Sequence, residues 1–142
     1  MSLTVRIGTV NLAVPLVTAP MAGYTDKVYR RLAKESGAAL TYTEMISAQG
    51  LIYENKNTWS LLNLKDEPGP VAVQLFGSRP EVLAAAAGIA VEAGAAIVDL
   101  NMGCPTPKIV KNGEGAALMQ DISLAAAIVN AMAKAAEPVP VT

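Results

Sequence analysis

Histidine is absent from this sequence, cysteine occurs once, and only 4% of the residues are aromatic. With no imidazole and a single thiol, the chain lacks the ligands for a zinc site and has no partner for an internal disulfide. This argues against a metal hydrolase and a disulfide-stapled secreted scaffold, and no metal site is expected. So few aromatics do not make a surface for stacking many bases. An excess of positive charge is missing too: 11 Lys and Arg face 12 Asp and Glu, for a net charge of −1. A protein that holds nucleic acid through phosphate contacts alone would be strongly basic, so if RNA is the substrate, most of the grip lies elsewhere. No uninterrupted apolar run reaches the roughly 18 residues needed to span a bilayer, and Met1-Ser2-Leu3-Thr4-Val5-Arg6 lacks the apolar stretch of a signal peptide. A soluble cytoplasmic protein with no membrane partner is expected.

What is present suits a packed core: 52% of the 142 residues are hydrophobic, many of them alanine, which lets helices pack closely. Residues 4 to 12 alternate around Gly8-Thr9, as in a small hairpin that could close the bottom of a larger structure. Leu16 to Ala19 is a short apolar run ending in Pro20-Met21-Ala22-Gly23, the pattern of a parallel strand covered on both faces. A helix follows from Thr25 or Asp26, with Val28 and Leu32 on one face and Lys27, Arg30, Arg31 and Lys34 on the other, a basic stripe that reads as a solvated face or, alternatively, as a phosphate contact; Gly37 ends it. The alternation continues with a strand near Leu40 to Thr43, helical material from Ser47 to Leu62 interrupted around Asn55, and a loop over Lys65 to Pro70. A strand from Val71 to Leu75 comes next. Ser78-Arg79-Pro80-Glu81 reads as a capping box opening a helix that runs to about Ala93 and stops at Gly94. A fourth strand spans Ala96 to Leu100, and a last helix runs from about Asp121 to Ala136.

Four strand-and-helix units predict a parallel α/β sheet, either doubly wound or barrelled. Val139-Pro140-Val141-Thr142 resembles the opening of a further strand, which favours a (β/α) TIM barrel of which residues 1–142 supply the N-terminal half, truncated at the start of its fifth strand. The alternative is a complete small domain with a disordered tail.

In parallel α/β folds the loops after the strands converge on the site. Here those loops carry Pro20 to Gly23, Glu44-Met45, Gln74 to Gly77 and Asn101-Met102-Gly103-Cys104-Pro105. Pro20 and Gly23 permit peptide groups to approach a flat ligand. Gln74 and Asn101 each offer an amide for the edge of a ring. Cys104 sits between Gly and Pro just past a strand, with Lys108 and Lys111 downstream. A thiol carries its proton at neutral pH unless its surroundings favour the thiolate, and no histidine exists here to act as its base, so a proton donor is the natural role. The competing reading is a small buried hydrophobe. Glu44 reads more readily as a structural carboxylate than as a substrate contact. Gly113 and Gly115 lack the Lys-Ser or Lys-Thr of a phosphate loop and read as turn glycines.

Ala19-Pro20-Met21-Ala22-Gly23-Tyr24-Thr25-Asp26, Val73-Gln74-Leu75-Phe76-Gly77 and Asp99-Leu100-Asn101-Met102-Gly103-Cys104-Pro105, followed by Lys108 and Gly113 to Leu118, together resemble the signature blocks of the tRNA-dihydrouridine synthases, in order and spacing, over nearly all of the chain. The resemblance implies an oxidoreductase that reduces the 5,6 double bond of uridines in tRNA, using FMN recharged by NADPH. Pro20, Met21 and Ala22 would lie against the flavin and Gln74 would hydrogen-bond its ring. Asn101 would help hold the uracil, and Cys104 would be the general acid. A lysine of the fifth strand, a histidine-containing loop, the flavin phosphate site and a C-terminal helical tRNA-binding domain, all implied by the same resemblance, do not occur in these residues. The chain by itself is therefore expected to bind FMN poorly and to lack synthase activity. Two other readings are a flavin-dependent reductase of a small pyrimidine and a non-catalytic half-barrel that self-associates through its open sheet edges.

Overall fold

The computed structural model describes residues 5–142. Thr4, the first residue of the expected hairpin, lies outside them. The hairpin itself is present: β1 (Val5–Ile7) pairs antiparallel with β2 (Val10–Leu12), Ile7 opposite Val10. Gly8 turns it at φ +54°, and a Cβ at this position would sit 2.6 Å from the Cβ of Pro140, so the turn packs tightly on the far end of the chain.

A parallel sheet follows. It contains β3 (Thr41–Tyr42), β4 (Ile46–Ser47), β5 (Val71–Phe76) and β6 (Ile97–Leu100). β3 and β4 both pair with β5, and β6 pairs with its other side. Thr41 faces Val71 but Ile46 faces Leu75, so β3 and β4 are two pieces of one barrel strand separated by a bulge of one extra residue. Thr43 repairs the ladder there: its N–H donates to Ala72 O at 2.9 Å, and its hydroxyl accepts from the Gln74 N–H at 3.1 Å. Val17 bridges Leu40 at one edge and Val141 bridges Val98 at the other, both parallel. Each strand segment thus lies beside its sequence neighbours. A doubly wound sheet reverses direction at a switch point, whereas unbroken chain order belongs to a barrel.

The two faces of the sheet bury different partners. Outward, Val73, Leu75, Val98 and Leu100 pack under α4 (Pro80–Glu92) and α6 (Ile122–Ala136), where Leu83, Ala86, Ala87 and Ala90 meet Ile128, Met132 and Ala136. Inward, Leu40, Ala72 and Ile97 contact Leu12 of the hairpin, which closes the amino ends of the strands as expected. The segment 139–142 is ordered against β6, with Val98 N donating to Pro140 O and Thr142 N to Val98 O, both at 3.0 Å, so it is a strand segment rather than a loose tail.

Three local expectations need correction. Leu16 and Val17 are exposed, not covered on both faces, because no described strand pairs their outer edge. In α1 (Lys27–Glu35) the expected faces are not kept: Val28 and Leu32 are 66% and 58% exposed and Arg30 is 3% exposed, while Arg31 stays exposed as expected. Glu67 draws Arg30 inward, accepting from its guanidinium, while a further guanidinium N–H donates to Thr25 O at 2.8 Å. Lys34 also turns in and donates to Ala39 O at 2.7 Å, burial pushing its amine below the usual lysine range against the opposing pull of Glu67. Finally, α4 is capped at Arg79 with Pro80 at its start, and no side chain caps it. Glu81 pairs with Arg79, so the Ser78 box is not formed. The cap at Asp26, the break around Asn55 between α2 (Ala48–Ile52) and α3 (Lys56–Leu61), and the start of the last helix at Asp121 stand as expected; Asn55 and Asp121 also cap the helices they precede. The short α5 (Pro107–Val110) and the 3₁₀ turn Gly115–Gln120 were not legible in the sequence.

Candidate active site

The first loop after a strand is closed by local bonds: the amides of Tyr24 and Thr25 donate to Met21 O at 3.0 Å, and the buried Thr25 hydroxyl bonds both the N–H and the carbonyl of Met21 at 3.1 Å. Glu44, at the bulge, accepts from the Gly23 N–H and ties this loop to the next strand, the structural part foreseen for it. Both loops thereby border a cleft of about 390 Å³ at the carboxyl ends of the strands, a volume within the range of small-ligand sites. Pro20, Ala22, Gln74, Asn101 and Cys104 all line it, with Met45 and Met102. Met21 stands apart from the cleft, 39% exposed.

Gln74 and Asn101 are buried at 7% and 9% exposure. Gln74 Nε2 donates to Asp99 Oδ2 at 2.6 Å, and its Oε1 accepts from Asn101 Nδ2 at 2.9 Å. Asn101 Oδ1 in turn accepts from the backbone N–H groups of Cys104 at 3.1 Å and Gly103 at 3.3 Å, so this amide folds the cysteine loop onto itself. The half-buried Cys104 thiol donates to Thr106 Oγ1 at 3.3 Å; Lys108 and Lys111 are exposed and make no described bond to it. Behind the loop, Gly115 has φ +60°, and a Cβ there would sit 2.7 Å from Cys104 O, a fit that only glycine allows.

Asp99 is the residue that sequence reasoning missed. It joins Gln74 on the inner face, as their register dictates, and its other oxygen accepts from Thr142 Oγ1 at 2.7 Å. Burial pushes its carboxyl above the usual range, with the two hydrogen bonds pulling against it. The Tyr42 phenol on the same face is raised by burial and by the Asp99 charge. A carboxylate inside the otherwise apolar run Ile97-Val98-Asp99-Leu100 was the signal available. Among the described residues no cluster of three or more His, Cys, Asp or Glu could hold a metal ion, and no helix is long and apolar enough to cross a membrane.

A partial parallel barrel with strand-end loops converging on a cleft of amides and one thiol defines a β/α-barrel protein with an enzyme-like site. Solved structures agree on the fold: histamine dehydrogenase from Rhizobium sp. 4-9 superposes with a TM-score of 0.67 at 14% identity, covering 99% of this chain and 33% of that one. A variant of NCR from Zymomonas mobilis gives 0.65 at 17%, covering 99% and 57%. The chain belongs to the dihydrouridine synthase (Dus) family, which it matches over residues 17–142. It is 44% identical over 137 residues to tRNA-dihydrouridine synthase B of Klebsiella pneumoniae, and 41% identical over 139 residues to a probable tRNA-dihydrouridine synthase of Rickettsia bellii. These alignments cover 96% and 97% of the chain but 42% of each relative, so the chain spans about two fifths of their length.

Proposed function

We propose that this chain forms the N-terminal half of the barrel of a tRNA-dihydrouridine synthase, a soluble cytoplasmic oxidoreductase that reduces uridine in tRNA to 5,6-dihydrouridine with FMN as its flavin and NADPH as reductant. The observation that carries this reading is the convergence of Pro20, Ala22, Gln74, Asn101 and Cys104 on one cleft. The residues fit a flavin ring. The cleft has the volume for a flat heterocycle, a backbone-rich wall at Pro20 and Ala22, and in Gln74 a buried amide with one Nε2–H not used by its neighbours. No lysine or arginine lines it, so the FMN phosphate would be held by other segments of the protein, as barrels commonly bind phosphate at their last strands.

FMN, when bound and reduced by NADPH, would supply the hydride for one carbon of the 5,6 double bond. Cys104, whose thiol already acts as a donor in its bond to Thr106, gives the proton to the other carbon. Asn101 holds the loop that presents this thiol, and its position in the lining of the cleft supports a contact to the uracil edge. The target base must leave its stack to enter such a cleft, which costs a few kcal/mol and favours loop nucleotides over paired ones. The decisive experiment is Cys104→Ala in the intact protein, with dihydrouridine quantified in tRNA and flavin read by absorbance. Loss of a general acid should lower turnover by about 10²–10⁴-fold with flavin content unchanged. Full turnover by the variant would remove Cys104 from the chemistry.

A further inference from the structure

The polar chain beneath the cleft has a direction. Asp99 Oδ2 is an acceptor when ionised, so the Gln74 amide turns its Nε2 toward it and its Oε1 toward Asn101. Asn101 must then spend Nδ2 on Gln74, which leaves Oδ1 for the backbone N–H groups of Gly103 and Cys104. A reversed Gln74 amide would set oxygen against carboxylate and Nε2 against Asn101 Nδ2, two repulsive contacts where little water can relieve them. Packing alone gives no reason for a carboxyl here. On this inner face an apolar side chain such as that of Ile97 would avoid the cost of partly burying a charge.

We propose that Asp99 is a positioning residue, fixing the direction of the Gln74 amide and, through Asn101, the backbone of the Cys104 loop. The inference rests on the reading of Cys104 as the proton donor, but the arrangement it describes can be measured without flavin or tRNA. Thr142 holds the second oxygen of Asp99 and so keeps the carboxylate turned toward Gln74.

The test uses the intact protein stripped of flavin. The rate of Cys104 alkylation by iodoacetamide, followed by mass spectrometry of the Cys104 peptide, reports the loop, and fluorescence titration with FMN reports the Gln74 amide. Asp99→Leu is expected to change the alkylation rate several-fold and weaken FMN binding about tenfold, the loss of one hydrogen bond to a charged group. Asp99→Asn can still present oxygen to Gln74 and donate to the Thr142 hydroxyl, so it should restore both values to near wild type. If Asp99→Leu does not fold, Gln74→Leu cuts the same chain one link later and must produce the same change in alkylation. A folded Asp99→Leu protein with wild-type alkylation overturns the proposal, even if its melting temperature has moved. Should the unmodified protein bind no FMN at all, the functional reading fails, and the alkylation arm still decides the role of Asp99.

Discussion

Asp99 also governs a pH dependence. Burial raises its carboxyl above the ordinary value of 3.8, so over the interval between that value and its raised one the folded state holds more protons than the unfolded state. The contribution of this group to stability is therefore fully present below 3.8 and is lost as pH rises through the raised value. Asp99→Asn should flatten this decline and raise the melting temperature at neutral pH, measured by thermal denaturation across a pH series. A variant whose melting curve follows wild type at every pH would show that Asp99 does not carry the decline. In sequence, Asn101 and Cys104 were visible because they follow an apolar run, and Gln74 because its amide interrupts one close to a strand's carboxyl end. Asp99 was less visible because its meaning depends on register: only pairing with β5 puts it beside Gln74.

The helices and turns divide by the range of the forces that shape them. Caps such as Asp26, whose side chain accepts from Tyr29 N at 2.8 Å, were legible because cap and helix adjoin in sequence. The orientation of α1 was not, since Glu67, far along the chain, decides which face turns inward. Arg30 and Glu67 side chains are each 4% exposed, so Arg30→Ala would leave a buried carboxylate without its partner. That loss should cost about 3–5 kcal/mol, seen as a lower denaturant midpoint with little change in slope. The bulge between β3 and β4 was equally hidden, because it is a mismatch of register between strands and leaves no mark in either one. Gly115→Ala tests the support behind the cysteine loop. A left-handed alanine costs about 1–2 kcal/mol before any clash, and its methyl would press on Cys104 O. The variant should be less stable than wild type and should also alkylate Cys104 at an altered rate; an unchanged rate would show that the loop absorbs the intrusion.

At the scale of the molecule, chain order across the sheet, helices outside and a hairpin beneath follow from alternating apolar runs, which is why the barrel class was legible. What covers the rest was not. Leu16 and Val17 at one edge, Val28 and Leu32 on α1, and Ile122 on α6 are all exposed. Exposed apolar side chains beside an unpaired strand favour association. The 142-residue chain on its own is therefore expected to elute as an oligomer in size-exclusion chromatography with light scattering, and to purify without stoichiometric flavin. A colourless monomer would contradict the first expectation, and a yellow protein the second. The hairpin adds a constraint of timing. Leu12 finds its cover only when Leu40, Ala72 and Ile97 stand side by side, and the Gly8 turn fits only once Pro140 has arrived. The hairpin leaves the ribosome before the strands that seat it, and during synthesis it must wait with its apolar side chains uncovered.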